Sequence, residues 1–243
     1  MAVRGRWPRA IFYDSKTTLF DWGWSWKSAA EALVKKYGST VDEQQFSQTW
    51  VRFFESHHRR TAFSQYTPVT ETVTEALMDT FRAFGLPGSP DDVHAYTDLQ
   101  QEVGLFPETE SALQEQQDMD VKVWTYSDVE RVYLDMYVSK FKAFRPDFVG
   151  STEEAGFHKP NPLTYDWVLR QNGMYPRDVL FCAAPAFDVQ GAMSAGLIAA
   201  WLQRPRTDGL LRNQAPSGRG IPPDYVIESL DDITEIIRAN RGG

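Results

Sequence analysis

Four residues that are far apart in the sequence carry side chains that could cooperate in covalent catalysis. Three of them follow short apolar runs and the fourth precedes a helix that a proline starts: Asp14, Thr125, Asp188 and Lys159. In open α/β folds, ligands bind at the sheet edge where the carboxyl ends of parallel strands lie. If these runs are neighbouring strands, two carboxylates, a hydroxyl and an ammonium group meet there. A carboxylate in such a group can act as a nucleophile, and this is the chemistry that the spacing predicts.

Hydrophobic periodicity predicts the elements that would position these side chains. Short apolar runs predict six strands, at 10–13, 121–124, 147–149, 179–182, 197–201 and 224–227. Helical patterns separate the later runs, and this alternation predicts an α/β fold whose parallel sheet is covered by helices on both faces. From about residue 25 to residue 103 the periodicity is only helical, and Ser25 is a suitable N-cap for the first of these helices. The segment 204–223 is rich in Pro, Gly and Arg, which predicts a loop.

Composition limits the classes of function and of partner. The 243 residues carry a net charge of -8, and phosphate backbones are bound by basic surfaces, so no nucleic-acid partner is expected. No apolar run approaches the ~20 residues that span a bilayer, and the N-terminus shows no signal-peptide pattern. We therefore expect a cytoplasmic protein without a membrane partner. The single cysteine, Cys182, is expected to be a buried thiol, and His57 and His58 are expected on the surface.

Three segments of the sequence resemble the motifs of a known superfamily. They are residues 12–21 (FYDSKTTLFD), 158–165 (HKPNPLTY) and 181–192 (FCAAPAFDVQGA). In order and spacing, over nearly the whole chain, they resemble the haloacid dehalogenase (HAD) superfamily and specifically its type II 2-haloacid dehalogenase branch. The resemblance implies a Rossmann-like core, residues 1–21 and 106–243, and an all-helical cap, residues 22–105, inserted after the first strand. It also implies a homodimer.

The resemblance assigns a catalytic role to four residues. Asp14 would attack an electrophilic carbon and form an ester, which water then hydrolyses. Lys159 would pair with Asp14 and keep it charged, because a nearby cation lowers the pKa of a carboxyl group. Thr18 would hydrogen-bond and orient Asp14. Asp188 would hold Lys159 and help to activate water.

Further positions are expected to contact a small anionic substrate. They are Ser15, Lys16, Trp22, Arg52, Thr125, Tyr126, Tyr165 and Pro185. Lys16, Arg52 and Thr125 are candidates for holding a substrate anion. Trp22 would either form an apolar wall over the nucleophile or pack the hinge of the cap. Tyr126 would either donate a hydrogen bond to a leaving group or cover the edge of the sheet.

Two positions bear on metal dependence. Phosphatases of the superfamily carry an aspartate two residues after the nucleophile, as a general acid, and a further acidic metal ligand near the last motif. This chain has Lys16 and Ala184 at those positions. Because magnesium prefers several hard oxygen ligands, we expect a site that needs no metal or other cofactor.

The bond that is broken stays open at this point. The usual Ser-Asn after the second core strand is matched with Thr125-Tyr126, the usual cap arginine with Val51, and the usual Ser-Ser-Asn with residues 183–185, Ala-Ala-Pro. A hydrolase acting on a carbon–halogen bond, or on a carbon–oxygen or carbon–nitrogen bond of an activated ring, is the expected function. The alternatives are a magnesium-dependent HAD phosphatase and a non-catalytic HAD-like binding protein.

Overall fold

The computed structural model describes residues 7–205 and 222–241. Six strands form one sheet in the order β3-β2-β1-β4-β5-β6, and every neighbouring pair is parallel. The strands are β1 Ala10–Asp14, β2 Lys122–Ser127, β3 Phe148–Ser151, β4 Val179–Ala183, β5 Ile198–Leu202 and β6 Tyr225–Ile227. β1 is central, with β2 on one side and β4 on the other, so the direction in which the chain adds strands reverses beside β1. Ligand crevices of open α/β sheets lie at such a reversal.

Helices connect the strands and cover both faces of the sheet. The α-helices are α1 Gly23–Lys36, α2 Glu43–Thr61, α3 Val69–Phe84, α4 His94–Thr97, α5 Thr109–Asp118, α6 Arg131–Val138, α7 Thr152–Ala155, α8 Pro162–Gln171, α9 Ala186–Ser194 and α10 Asp231–Arg241. On one face, Ile11 and Leu180 share a buried core with residues of α5, α6 and α10. On the other face, Phe12 and Phe181 share a core with residues of α8 and α9. The predicted α/β fold, with a parallel sheet covered on both faces, is confirmed.

The helices α1 to α4 lie between β1 and β2 in the sequence, and we call them the insert. Aromatic rings fill their core, with Trp26 in edge-to-face contact with Trp50 and close to Phe54 and Tyr96. Such rings bury a large apolar area and so can stabilise a small group of helices. The boundaries that divide the chain into core and cap remain a prediction.

Two sequence expectations need correction. Ser25 does not cap α1, which begins at Gly23; the hydroxyl of Ser25 lies inside the helix and donates to the carbonyl of Trp22. The second strand does not end at residue 124 but runs to Ser127. Of the loop predicted at 204–223, residues 206–221 lie outside the described residues. Over the described ranges, no helix is both long and apolar enough to cross a membrane.

Candidate active site

A tight turn after β1 positions the carboxylate of Asp14. Within this turn Thr17 has a φ of 59°, which is unfavourable for a β-branched residue and costs on the order of 1–3 kcal/mol. The guanidinium of Arg204 donates to the carbonyls of Thr17 and Thr18, at 3.2 and 2.8 Å. These bonds help to hold the turn in its strained conformation.

Thr18 connects the nucleophile turn to the end of β4. Its hydroxyl donates to Asp14 Oδ2 at 2.7 Å and accepts a hydrogen bond from the backbone N–H of Ala184 at 2.9 Å. The backbone donor fixes the direction of the hydroxyl proton, because an oxygen that accepts from Ala184 directs its own proton elsewhere. The geometry is therefore the one that the orienting role predicted for Thr18 requires.

Lys159 lies between the two carboxylates. Its ammonium group donates to Asp14 Oδ1 at 2.5 Å and to Asp188 Oδ2 at 2.7 Å. The side chain of Asp14 is 6% exposed and those of Lys159 and Asp188 are 1% exposed. Three residues separated by up to 174 positions thus form one buried ionic group at the carboxyl end of the sheet. The spacing of the motifs predicted this convergence.

The electrostatics of the ionic group follow from burial and from the neighbouring charges. Burial alone would lower the pKa of Lys159, but the carboxylates of Asp14 and Asp188 outweigh it and raise that pKa above its ordinary value. Burial raises the pKa of Asp188 to about 7, against the opposing effect of Lys159. Near neutral pH the ammonium group is therefore more firmly charged than the Asp188 carboxylate.

Tyr165 contacts Asp188. It is fully buried, and its hydroxyl donates to Asp188 Oδ1 at 2.5 Å and to the Asp188 carbonyl at 3.0 Å. Both carboxylate oxygens of Asp188 are thus bound, one by Lys159 and one by Tyr165. The hydroxyl of Tyr165 is thus committed to Asp188, and its contact with substrate stays a prediction.

Lys16 and Trp22 lie together beside the nucleophile. The Lys16 ammonium is 4.0 Å from the centre of the Trp22 ring, a cation–π distance. Burial lowers the pKa of Lys16 to about 8, although Glu130, Asp128 and Asp14 act to raise it. The indole N–H of Trp22 donates to Gln100, and the ring is 6% exposed. Trp22 therefore packs the insert and also supports the Lys16 cation.

Three residues at the ends of β1 and β2 are placed differently from the expectation. Thr125 lies inside β2 and pairs with Tyr13, so its side chain faces away from that of Asp14. The buried hydroxyls of Thr125 and Ser15 make no hydrogen bond with any residue that the structure describes. Tyr126 is fully buried and its hydroxyl pairs with Thr164 at 2.5 Å, as expected for a ring that covers the sheet. All three side chains are buried, and their contact with substrate stays a prediction.

The position of Arg52 also differs from the one expected for a residue that holds a substrate anion. Arg52 is exposed, and its guanidinium bonds Thr49 in the same helix at 3.3 Å. Phe54, two residues further along α2, is buried, and positions two apart on a helix face nearly opposite directions. Arg52 therefore points away from the core. Pro185 is half-buried at the start of α9, three residues before Asp188, which keeps it beside the site.

The structure reveals a second polar group that the sequence reasoning missed. Asp128, just after β2, contacts His58 Nε2 at 3.1 Å and His158 Nδ1 at 3.4 Å. His58 is buried, so the expectation that it lies on the surface is wrong. Asp128 also accepts from the backbone N–H of Lys159 at 2.9 Å. The one available signal in the sequence was His158 beside Lys159. His58 and Asp128 are separated by 70 positions, and no local pattern in the sequence links them.

Two groups of side chains bear on metal binding. At Asp14, the position that would supply a magnesium ligand is Ala184, and the Lys159 ammonium already binds both Asp14 and Asp188. This donor set fits magnesium poorly. The donor atoms of His58, Asp128 and His158 lie within 4.8 Å of one another, as metal ligands do. Both imidazole–carboxylate contacts there are also at hydrogen-bond distance, so protons alone account for the arrangement.

Comparison with known proteins agrees with this fold. No family model matches the chain. The (S)-2-haloacid dehalogenase of Xanthobacter autotrophicus is 23% identical over 253 residues, 96% of each protein. The structure of the L-2-haloacid dehalogenase from Xanthobacter autotrophicus with covalently bound chloropropionic acid has a TM-score of 0.75 at 22% identity, covering 95% of this chain and 98% of that one.

A second solved structure extends the likeness. The L-2-haloacid dehalogenase RSc1362 has a TM-score of 0.80 at 20% identity, covering 96% of this chain and 99% of that one. The chain therefore has the HAD fold and resembles the type II 2-haloacid dehalogenase branch. The likeness to these dehalogenases supports a hydrolase of the HAD type.

Proposed function

We propose that this chain is a hydrolase in which Asp14 attacks a small, carboxylate-bearing substrate and forms an aspartyl ester. The observation that carries the proposal is the placement of one ammonium group between two buried carboxylates, with Thr18 bound to the remaining oxygen of Asp14. A buried ionic group costs desolvation energy, and it is expected where the charges are used. The covalent chloropropionic acid in a structure of the same fold supports the same chemistry by likeness.

The reaction proceeds in two displacements. A carboxylate oxygen of Asp14 attacks the carbon that bears the leaving group; the carbon–leaving group bond breaks and its electron pair departs with that group. Water then attacks Cγ of Asp14, and the bond between Cγ and the oxygen that attacked the substrate breaks. That oxygen takes one proton of the water and leaves as the hydroxyl of a hydroxy acid. The oxygen of the water remains in the Asp14 carboxylate, and the other proton of the water is released. Lys159 stabilises the carboxylate before attack and after hydrolysis.

Substrate recognition is proposed for the side chains that remain close to Asp14. Lys16, supported by Trp22, supplies a positive charge for a substrate carboxylate. Pro185 lies at the start of α9 beside the ionic group. We further propose that the insert acts as a cap over the substrate, that the site needs no cofactor, and that the chain forms a homodimer. Sedimentation of the purified protein tests the last point.

The experiment is a single turnover in oxygen-18 water, followed by mass analysis of the peptide that contains Asp14. The panel holds (S)-2-chloropropionate, an oxirane carboxylate, an aziridine carboxylate and a phosphate monoester. We expect one labelled oxygen in Asp14 with a true substrate, no effect of a metal chelator, and no turnover by Asp14→Asn. The matched control is Asp147→Asn. The Asp147 carboxylate lies on the side of β2 away from β1 and accepts hydrogen bonds from the Lys122 ammonium and the backbone N–H of Val123.

Each alternative function predicts a different result. A phosphatase would release phosphate only with magnesium and would lose activity with a chelator. A binding protein would place no label in Asp14 with any compound of the panel. Full activity of Asp14→Asn, without slow deamidation back to aspartate, would remove the nucleophile from the proposal.

A further inference from the structure

Two segments of the protein meet along a polar contact beside Lys159. The first is residues 62–68, which join α2 to α3 and which we call the insert loop. The second is residues 156–161, which carry Lys159 and which we call the lysine segment. Because the insert and the core share this contact, the position of Lys159 depends on both of them.

The contact is built from hydrogen bonds that run in both directions. Asn161 donates to the carbonyl of Ala62 at 2.9 Å. The backbone N–H of Tyr66 donates to the carbonyl of Gly156 at 3.0 Å. The Nε2–H of His158 donates to the carbonyl of Thr67 at 2.6 Å. The Tyr66 ring also stacks on His158, with centroids 4.6 Å apart.

Asp128 connects this contact to the sheet. It directly follows β2, which pairs with β1 up to Asp14, so its backbone is fixed relative to the nucleophile. One carboxylate oxygen accepts from the backbone N–H of Lys159 and the other from His58 of the insert. Burial would raise the pKa of Asp128, but His58, Lys159 and His158 together hold it well below its ordinary value. The carboxylate is therefore charged, and charged acceptors form the stronger hydrogen bonds.

We infer that Asp128 is a positioning residue that fixes the lysine segment against the seated insert, so that the Lys159 ammonium reaches Asp14 only while the insert is in place. This inference rests on the proposed function, because it assigns Asp128 a role in presenting Lys159. It goes beyond that function because it states that two contacts form and break together. These are the docking of the insert on the core and the contact of the Lys159 ammonium with Asp14. Asp128 touches no reacting atom in this scheme.

The first test is kinetic. We expect Asp128→Ala to lower kcat by about 10- to 100-fold, as a small misplacement of a catalytic group does, with a smaller change in KM. Asp128→Asn keeps the volume and should give an intermediate loss. The matched control is Asp92→Ala, which removes a different buried carboxylate, one that lies in the insert and is bound by Lys36 and Tyr37. A kcat within about twofold of wild type for folded Asp128→Ala, or an equal loss in the control, would overturn the inference.

The second test needs no substrate. Amide hydrogen exchange is followed in peptides that cover the insert loop and the lysine segment, in wild type, Asp128→Asn and Asp92→Ala. We expect Asp128→Asn to speed exchange in both segments by the same factor, and the control to leave both unchanged. Faster exchange in only one segment, or in neither, would contradict the inference. If no compound of the panel turns over, the proposed function fails while this measurement still decides whether Asp128 couples the two segments.

Discussion

Replacing Lys159 with methionine tests whether the ionic group depends on its cation. The substitution keeps most of the side-chain volume and removes the charge between Asp14 and Asp188. The oxygens of these two carboxylates contact the same Nζ atom at 2.5 and 2.7 Å, so they are no more than about 5 Å apart. Two negative charges at that separation repel by about 3 kcal/mol at an effective dielectric constant of ~20. Removing one partner of a buried ion pair costs about 3–5 kcal/mol.

The expected loss therefore depends on pH. At pH 8 we expect the free energy of unfolding of Lys159→Met to fall by about 3 kcal/mol. The pKa of Asp188 is raised to about 7 even with Lys159 present, and losing the cation raises it further. A folded state that binds a proton which the unfolded chain releases gains stability as pH falls. The loss relative to wild type should be smaller at pH 5 than at pH 8, because Asp188 of the variant, with the higher pKa, takes up its proton before Asp188 of wild type does as the pH falls.

Urea unfolding at pH 5 and pH 8 measures both effects. At pH 8 the double variant Lys159→Met/Asp188→Asn should be more stable than Lys159→Met, because it carries no second buried charge. Lys122→Met removes an exposed lysine that pairs with Asp147 and should change little at either pH. If Lys159→Met lost the same stability at both pH values, or none at pH 8, the two carboxylates would not share a buried cation.

Three further predictions concern the substrate end of the site. Because burial lowers the pKa of Lys16 to about 8, its charge is lost above that pH, and KM for a carboxylate substrate should rise there in wild type but not in Lys16→Met. Thr18→Val should lower kcat about 10- to 100-fold, because a hydrogen bond to a charged group such as Asp14 is worth about 1.5–3 kcal/mol. Steady-state kinetics should show this lower kcat together with an unchanged KM. Arg52→Ala should change KM by less than about twofold, since it lies on the exposed side of α2; a tenfold rise would place Arg52 in the site.

The strands and the ionic group were accessible to sequence reasoning for a physical reason. Buried parallel strands are continuous apolar runs, and the residue after such a run falls at the ligand edge of the sheet. Asp14 and Asp188 follow runs of this kind. Lys159 has no such local signal, and its position relied on motif order.

The errors in the predicted end of β2 and in the predicted position of His58 have a physical reason as well. Thr125 and Tyr126 are polar enough to end an apolar run, yet both residue types suit a strand, and pairing with β1 and β3 extends β2 to Ser127. Because the predicted strand ended three residues too early, Asp128 was not expected at the carboxyl end of the sheet. The pairing of His58 with Asp128 depends on how the insert sits on the core, and no local periodicity records it.

The leaving group is the remaining chemical question, and Lys16 bears on it. A halide departs with its electron pair and needs no proton, whereas an oxygen or nitrogen of an opened ring must be protonated as the bond breaks. An ammonium group whose pKa is about 8 can donate a proton at neutral pH, and Lys16 is within electrostatic reach of Asp14. If Lys16 is that donor, Lys16→Met should lower kcat on an oxirane or aziridine carboxylate by at least tenfold more than on (S)-2-chloropropionate, a difference of about 1.4 kcal/mol in barrier. Equal losses of kcat on both substrate classes would show that Lys16 only binds the carboxylate, and the ring substrates would then need a different proton source.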